Sequence, residues 1–549
     1  MARHRGDLTV DAIDPVDTAD TAGTADTADT ADTVDPVDGA GDAPDVLVVG
    51  AGPTGLATAL QAQAHGARVR VIERRPEAFR PSRAMIVQSR TLEVLRPLGV
   101  AEDLLARADR SPRAQLHLGD RTVAAELGDV ALRDTAYPHL TLVRQADVED
   151  VLANALAARG VGVERGVELV GASWDADGVE ALVRLDGLAT EVPSRFLVGC
   201  DGPDSLVRRL AGIGWRGARY AQEVVLADVE LDGALSPGVL HVVAGPRGLV
   251  FLFALGEGAT WRLLGTRAAP HEERGAFGQP GGEVPVAEVQ RLLDEAGLAA
   301  RVVQQVWSAR VPLQHRLATS FRSGPVFLAG DAAHAASPAG AQGMNTGILD
   351  AVNLGWKLAF AARGGRTPAL LDSYDLERRP AAAQVLALTH LIFFAEASTH
   401  RLPAFVRGTV LPIAAPAVPV LLRQRQLMAA VVALLSQRWV RYWTSPLSVV
   451  GTATSRGARP GDRLPDQAVT CEDRSRHLHE LTAHPGVHVL LERGAPEPDL
   501  APAGPRVTVH RIDSWPGRGL VAVRPDGHVG FRSGSPDADR LSSWLRLVS

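Results

Sequence analysis

From Asp45 onward the apolar positions fall into short, readable runs. Asp45-Val-Leu-Val-Val-Gly50 has the length of a buried strand, and Leu56 to His65 carries helical spacing. Ala67-Arg-Val-Arg-Val-Ile72 predicts a second strand that ends at Glu73. Asp147 to Arg159 predicts a helix and Arg195 to Cys200 a strand. Residues 219–320 alternate as strands do, with one helix over Glu283 to Gly297, and Phe327 to Gly330 is a further strand before a long helix through Ala362.

Two stretches break this grammar. Residues 8–43 repeat Asp-Thr-Ala with a period near three, which fits neither helix nor strand. Small polar side chains with repeated negative charge bury too little apolar surface to offset ordering entropy, so 1–43 is expected to be a disordered acidic tail. Residues 401–450 are the most apolar in the chain. There Arg407, Pro412, Pro416 and Pro419 interrupt Phe405 to Leu422, and Leu427 to Leu435 is far short of the ~20 residues a bilayer needs. Broken helices buried against the body or a partner subunit are expected, with no membrane span. From Gly457 short strands punctuated by Pro and Gly suggest a separate C-terminal domain.

Composition narrows the class. The chain has 549 residues, 46% hydrophobic and 22% charged, enough for sizeable cores and about three domains at roughly 100–200 residues each. The first 44 residues hold two arginines against eleven aspartates, so the remainder carries 55 basic against 52 acidic side chains. The folded part is near neutral, with no basic stripe of the kind nucleic acid requires. Cys200 and Cys471 allow at most one disulfide and no four-cysteine metal site. The start lacks the apolar stretch of a signal peptide, so a cytoplasmic location is expected. Lys357 is the single lysine.

Gly50-Ala-Gly52-Pro-Thr-Gly55 fits G-x-G-x-x-G between a strand and a helix, with Glu73 closing the next strand. In that context Gly50 permits the turn, Gly52 lets a pyrophosphate approach the backbone, and Gly55 lets the helix pack on the sheet. Glu73 would accept from a ribose diol, and an acid there favours an unphosphorylated ribose, as in FAD or NAD. A second motif is Gly199-Cys200-Asp201-Gly202-Pro-Asp-Ser205-Leu-Val-Arg208. The third is Gly330-Asp331-Ala-Ala-His334 followed by Pro338-Ala-Gly-Ala-Gln-Gly343-Met-Asn345-Thr-Gly347, a glycine-bearing loop opening a helix, where backbone N–H groups can converge on an anion.

These three motifs, in this order and spacing, resemble the single-component class A flavoprotein monooxygenases of the p-hydroxybenzoate hydroxylase and phenol hydroxylase type, and most closely the aromatic-polyketide hydroxylases. The resemblance spans about 45–395, including Ser82-Arg-Ala84, Arg90-Thr-Leu-Glu93 and Leu371 to Pro380. The C-terminal part, above all Leu520-Val-Ala-Val-Arg-Pro-Asp-Gly-His-Val529, looks like the thioredoxin-like domain of those enzymes. That domain lacks a neighbouring cysteine pair here, so its expected role is structural. The resemblance implies an α/β fold: a Rossmann-like FAD-binding domain (44–218 and 321–400), an inserted β-sheet substrate domain (219–320), an apolar helical linker (401–455) and a thioredoxin-like domain (456–549).

It also implies a site. Gly50, Gly52 and Gly55 would hold the FAD pyrophosphate, and Glu73 the adenosine ribose with Arg74 beside it. Arg83 and Gln145 would contact the phosphate–ribityl region, and Asp331 the ribityl or pyrophosphate. Gly343, Met344 and Asn345 would line the pyrimidine edge of the isoalloxazine, with Pro338 near its reactive face. The Asp201 motif is associated with both FAD and NAD(P)H, with Arg208 the NAD(P)H candidate. The implied reaction is NAD(P)H-dependent, NADPH being favoured. In it O₂ would add at flavin C4a and the hydroperoxide would hydroxylate an aromatic ring. A pocket formed by the 219–320 sheet and covered by the apolar 390–450 helices is expected to suit a large polycyclic aromatic substrate, not a small charged benzoate.

Departures are Pro203-Asp204 where Ala-Arg is common, and Ala341 in place of a glycine, tolerable if its φ is negative. A Baeyer–Villiger oxygenation on the same scaffold and a non-catalytic flavin-binding scaffold are the competing readings. A flavin halogenase would need a pocket lysine, and Lys357 is expected on an outer helical turn. His334 is expected as a packed loop residue, Cys200 as a small hydrophobe, and Glu377-Arg378-Arg379 as a salt-bridged helix terminus. No metal site is expected. The partners are a small aromatic and O₂, in a monomer or homodimer.

Overall fold

The computed structural model describes residues 43–548 apart from 79–84, 120, 129, 131, 246–247, 255–257, 269–281, 365–367, 398–399, 423, 453–456, 472, 496–506 and 514–518. The acidic tail and Arg83 lie outside the described residues. The chain opens with β1 (Val46–Val49), α1 (Pro53–Ala64) and β2 (Val69–Glu73). α1 begins before its apolar spacing does. Gly52 is extended at φ −76°, ψ 179° and hands over to Pro53, whose fixed φ suits a first helical turn. Next come α2 (Ser89–Leu95), α3 (Gln145–Ala157), β3 (Phe196–Gly199) and α4 (Leu206–Leu210). Two 19-residue strands follow, β4 (Trp215–Gly233) and β5 (Ala300–Ala318), then β6 (Val326–Leu328), α5 (Gln342–Arg363) and α6 (Pro368–Ala397).

The first sheet is ordered Arg322–Ser323, β6, β3, β1, β2, Val163–Arg165. β1 runs parallel to both neighbours, with Val46 opposite Phe196 on one side and Val69 on the other. All four of its side chains are buried, as a central strand covered on both faces requires. α1 and α5 cross closely because Gly355 faces α1: a Cβ there would lie 2.9 Å from the Ala62 nitrogen.

The second sheet has eight strands, ordered His334–Ala335, β5, β4, Trp261–Ala268, Gly248–Phe253, Val239–Gly245, Arg113–Leu118, Arg121–Glu126. Strands from before 219 and after 320 therefore complete it. α6 covers one part, where Phe393 and Ala397 pack on Val224, Leu226, Val311 and Leu313.

The prolines of 401–422 do not break the helix. Pro403 sits in the first turn, where its N–H would have no intrahelical partner, and successive α, π and 3₁₀ turns carry the chain through Pro412, Pro416 and Pro419. By length and composition alone, Pro368–Ala397 and Arg401–Leu422 would suffice to cross a membrane. The second of them rests Leu411, Ala415, Val418 and Leu422 on Leu118 and Val123 of the sheet edge.

The C-terminal region has a five-stranded sheet ordered Val449–Val450, β8 (Val529–Ser533), β7 (Leu520–Val523), Val487–Glu492, Val507–Ile512. The last helix, Ala538–Val548, buries Leu541, Trp544, Leu545 and Val548, the i, i+3, i+4, i+7 face of an amphipathic helix. Cys200 and Cys471 are not disulfide-bonded to each other, and Cys471 Sγ donates to the Arg511 carbonyl at 3.0 Å.

Candidate functional site

A groove of about 320 Å³ opens at the carboxyl ends of β1, β2 and β3, where an open α/β sheet binds ligands. The first-motif glycines do three different jobs. Gly50 has φ +105°, and a Cβ there would overlap the Cys200 carbonyl; a Cβ on Gly55 would overlap the Gly50 carbonyl. Gly52 instead faces open space, with nothing within 4 Å of where its Cβ would stand. No side chain caps α1. Thr54, whose first-turn amide helix geometry leaves without an intrahelical partner, lines this space at the positive end of the helix dipole.

Glu73 is oriented by the backbone: Oε2 accepts from the Ala51 N–H at 2.9 Å and Oε1 from Arg75 at 3.0 Å. A carboxylate has further acceptor positions, which remain available to a ribose diol. Arg74 is exposed at the rim, and Gln145 donates from Nε2 to Glu149 at 2.8 Å. Asp201 Oδ2 caps α4, accepting from Leu206 at 2.7 Å and Val207 at 3.1 Å, whereas the buried Oδ1 has no partner. Burial pushes the Asp201 carboxyl up from its ordinary value. Gly202 and Gly343, like Gly52, meet nothing within 4 Å where a side chain would begin. The open glycines, the first-turn amides of α1 and the orphaned Asp201 oxygen fit a dinucleotide laid along the groove.

At the other end Asp331 is exposed in the groove wall, and Gly343 and Met344 complete the lining. Pro338 is exposed on the turn before α5 and Asn345 lies behind it, both outside the lining. Asn345 is buried, and its amide is spent on the chain itself. Oδ1 accepts from the Gln88 N–H at 2.8 Å and from Thr91 Oγ1 at 2.7 Å, while Nδ2 donates to the Ile86 and Ala341 carbonyls. Arg208 is likewise engaged. It donates to the carbonyls of Ala332 at 2.9 Å and Pro203 at 2.8 Å, and stacks 4.0 Å from the Trp215 ring.

Several expectations need correction. Ala341 sits at φ +53°, not at a negative φ; it caps α5 in the left-handed region directly after Gly340 at φ +68°. Lys357 is not on an outer turn but fully buried, donating at 2.8 Å to Asn353 Oδ1 and to Glu377 Oε2. Glu377 and Arg378 are buried in mid-helix rather than at a terminus; Arg379 alone makes the expected surface pair, with Asp375. Other expectations hold: His334 is packed, 3% exposed, with Nε2 2.5 Å from Asp350. Cys200 Sγ lies 3.9 Å from Thr58 Oγ1, and burial drives its thiol well up, which disfavours the thiolate.

The structure adds groove residues the motifs did not reveal. Glu149 is one helical turn after Gln145, a spacing visible in the sequence; burial raises its carboxyl to about 7. Arg165 stands opposite Glu73 on the neighbouring strand, which only the sheet register discloses. Among the described residues no cluster of three or more His, Cys, Asp or Glu could hold a metal ion.

Residues 43–389 match the family described as "FAD binding domain", and 457–548 match "Aromatic-ring hydroxylase, C-terminal". The chain is 34% identical to 6-methylpretetramide 4-monooxygenase of Streptomyces rimosus, over 92% of this chain and 94% of that protein. Among solved structures it resembles OxyS anhydrotetracycline hydroxylase of Streptomyces rimosus (TM-score 0.73, 30% identity, 92% and 99% covered). It also resembles aklavinone-11 hydroxylase in ternary complex with FAD and aklavinone (TM-score 0.71, 26% identity, 92% and 98% covered).

Proposed function

The chain belongs to the FAD binding domain family and is an FAD-dependent aromatic monooxygenase, and from that premise we propose that it hydroxylates a polycyclic phenolic compound of the polyketide type, using NADPH and O₂. Bound in the groove, FAD would take a hydride from NADPH and, with O₂, supply the oxygen atom placed on the ring. The protein's part is position, charge and exclusion of water. The open turn at Gly52 and the N-terminus of α1 would carry the pyrophosphate, Glu73 the ribose, and Asp331 the chain between them. Gly343 and Met344 at the start of α5 would offer backbone to the isoalloxazine edge, where a helix N-terminus favours developing negative charge.

The observation that carries the substrate class is the likeness, over 92% of this chain, to enzymes named for 6-methylpretetramide, anhydrotetracycline and aklavinone. Ala339, next to Pro338, packs with Val224, Leu226, Val311 and Leu313 of β4 and β5 and with Phe393 and Ala397 of α6. These side chains are buried against one another, so the layer backs the loop before α5 with apolar surface and does not itself line an open pocket. The helices over 368–422 we read as covers for this sheet in a cytoplasmic enzyme.

The test is reduction of the holoprotein by NADPH in the presence of a panel of hydroxylated tetracyclic and angular phenols. A true substrate accelerates flavin bleaching and yields a product heavier by one oxygen with the ring skeleton intact by NMR. A lactone product would instead establish Baeyer–Villiger chemistry, and protein that turns yellow but never oxidises NADPH would establish a scaffold.

A further inference from the structure

The Arg524-Pro-Asp-Gly-His528 turn joins β7 to β8 at the edge of a domain with no cysteine pair, yet it is among the most deeply buried polar segments of the chain. Arg524, Asp526 and His528 are 1%, 3% and 5% exposed. The turn closes on itself, with Gly527 N–H donating to the Arg524 carbonyl and Arg524 N–H to that of His528. Gly527 is at φ +74°, and a Cβ there would press on the Arg90 guanidinium at 3.3 Å. A hairpin turn ordinarily faces water; this one is inserted among α2, α5 and α6.

Each of its groups meets a helix leading to the flavin loops. Arg90 on α2 donates to the Asp526 carbonyl at 2.7 Å, and one residue on, Thr91 holds Asn345 Oδ1 at 2.7 Å. Asn353 on α5 donates to Asp526 Oδ2 at 2.8 Å and to Glu377 at 2.7 Å, two turns beyond Asn345. Arg524 forks onto Glu377 of α6 at 2.6 and 2.7 Å. The next residue of α6, Arg378, donates to Tyr442 Oη at 2.9 Å and to Asp350 at 2.7 Å. Asp350 Oδ2 then accepts from the Gly330 N–H at 3.1 Å and lies 2.5 Å from His334, so it fixes the turn that presents Asp331 to the groove. Tyr442 in turn stacks on His528, with ring centroids 4.3 Å apart.

We propose that the turn 524–528 is a positioning element of the flavin site, setting through Asn353 and Glu377–Arg378 the placement of the Gly330–Asp331 turn and of the Gly343–Asn345 helix start. The proposal rests on the FAD reading of the groove. The charges in this network are paired: Lys357 and Arg524 with Glu377 and Asp526, Arg378 with Asp350, and Arg90 with Glu93. The single lysine among 57 basic residues is part of it. A compact ammonium fits between Asn353 and Glu377, where a planar five-donor guanidinium would be left with unpaired N–H groups. Neither the turn 524–528 nor Asn353, Lys357, Glu377 or Arg378 lines the groove, so these groups act through the loops and not on the cofactor.

The test uses the full-length chain. Apoprotein is titrated with FAD by fluorescence quenching, the midpoint potential of the bound flavin is measured, and Tm is recorded, for wild type, Asp526→Asn, Tyr442→Phe and Leu541→Ala. Leu541 is buried in the same C-terminal domain but outside the network. Asp526→Asn is expected to weaken FAD binding by about 3- to 30-fold, the range of mutations that change coupling through a packed network, and to move the potential. Tyr442→Phe keeps the ring on His528 and removes only the acceptor of Arg378, so it is expected to do the same more weakly and stands in if the aspartate variant does not fold. Leu541→Ala should lower Tm while leaving affinity and potential at wild-type values. The proposal is overturned if Tyr442→Phe, and Asp526→Asn where folded, keep wild-type affinity and potential, or if Leu541→Ala shifts them equally. Wild-type apoprotein that takes up no FAD would overturn the reading of the groove instead.

Discussion

Replacing the three glycines of the first motif one at a time separates binding from folding. Gly52→Ala places a methyl where the protein has nothing within 4 Å, at a φ of −76° that alanine accepts. Two small effects on the apoprotein oppose each other: alanine is a poorer N-cap than glycine, and it reduces the entropy of the unfolded chain. They cancel to within about 1 kcal/mol. The methyl does, however, occupy the path of a phosphate to the Thr54 amide and the N-terminus of α1. Losing one or two charge-assisted hydrogen bonds costs about 2–4 kcal/mol, roughly 30- to 1,000-fold in the FAD dissociation constant. Gly55→Ala is different, because its Cβ would collide with the Gly50 carbonyl and must displace α1 from β1. That variant should lose stability outright, by about 3 kcal/mol or more, as overpacking against backbone does. The assay pairs FAD titration with thermal melting of the FAD-free protein. A Gly52→Ala protein that binds FAD within threefold of wild type, or that melts as low as Gly55→Ala, would refute the placement of the pyrophosphate.

Three further substitutions probe the rest of the groove. Asp331→Ala should lose its yellow colour on dialysis while the apoprotein melts as wild type, because the carboxylate is exposed in the groove wall; colour fully retained would exclude a cofactor contact. Glu149 holds its proton to about pH 7 when folded but ionises near 4.5 when unfolded, so its stabilising contribution is complete below 4.5 and lost as pH rises through 7. Glu149→Gln should therefore raise the apoprotein's stability at pH 8 by about 1–3 kcal/mol and leave it unchanged at pH 4, and a gain independent of pH would contradict the assigned burial. Ala341→Gly relieves a left-handed alanine and should add about 0.5–1 kcal/mol to the apoprotein, read as a higher Tm; a lower one would mean that φ +53° is not strained there.

The flavin-binding half was legible because its signals are local. A strand, a glycine turn and a helix start within ten residues leave few alternative structures, and Glu73 follows at the end of the next strand. What escaped depends on partners distant in sequence. Arg165 reaches the Glu73 end of the groove only because Val163–Arg165 pairs with β2. The strands Arg113–Leu118 and Arg121–Glu126, paired with each other, join the eight-stranded sheet where the first of them pairs with Val239–Gly245. Asn345 was marked by its motif, but its side chain points away from the groove toward the backbone of 86–88, so it fixes the loop that the motif suggested it would line. Lys357 looked exposed because charge on a helix normally faces water. Here Glu377 and Asn353 supply enough partners to keep an ammonium inside, although burial drags it down to about 8.

That ammonium belongs to a layer of buried ions whose cost bears on its purpose. Replacing such groups with apolar ones of equal volume is often neutral or stabilising, so holding the C-terminal domain in place does not require them. Apolar contact already does so: Leu491, Leu520, Phe531 and Trp544 share one continuous core with the residues around β1 and α5. Hydrophobic contact is non-directional, and a domain attached by it alone could slide by an ångström at little cost. The forked contacts of Arg524 on Glu377, and of Arg463 on Glu93 at 2.6 and 2.7 Å, allow no such slide without stranding charges in the interior. Apolar surface therefore supplies the attachment and the ion pairs the register, and register is what a cofactor loop supported from behind by α2, α5 and α6 requires.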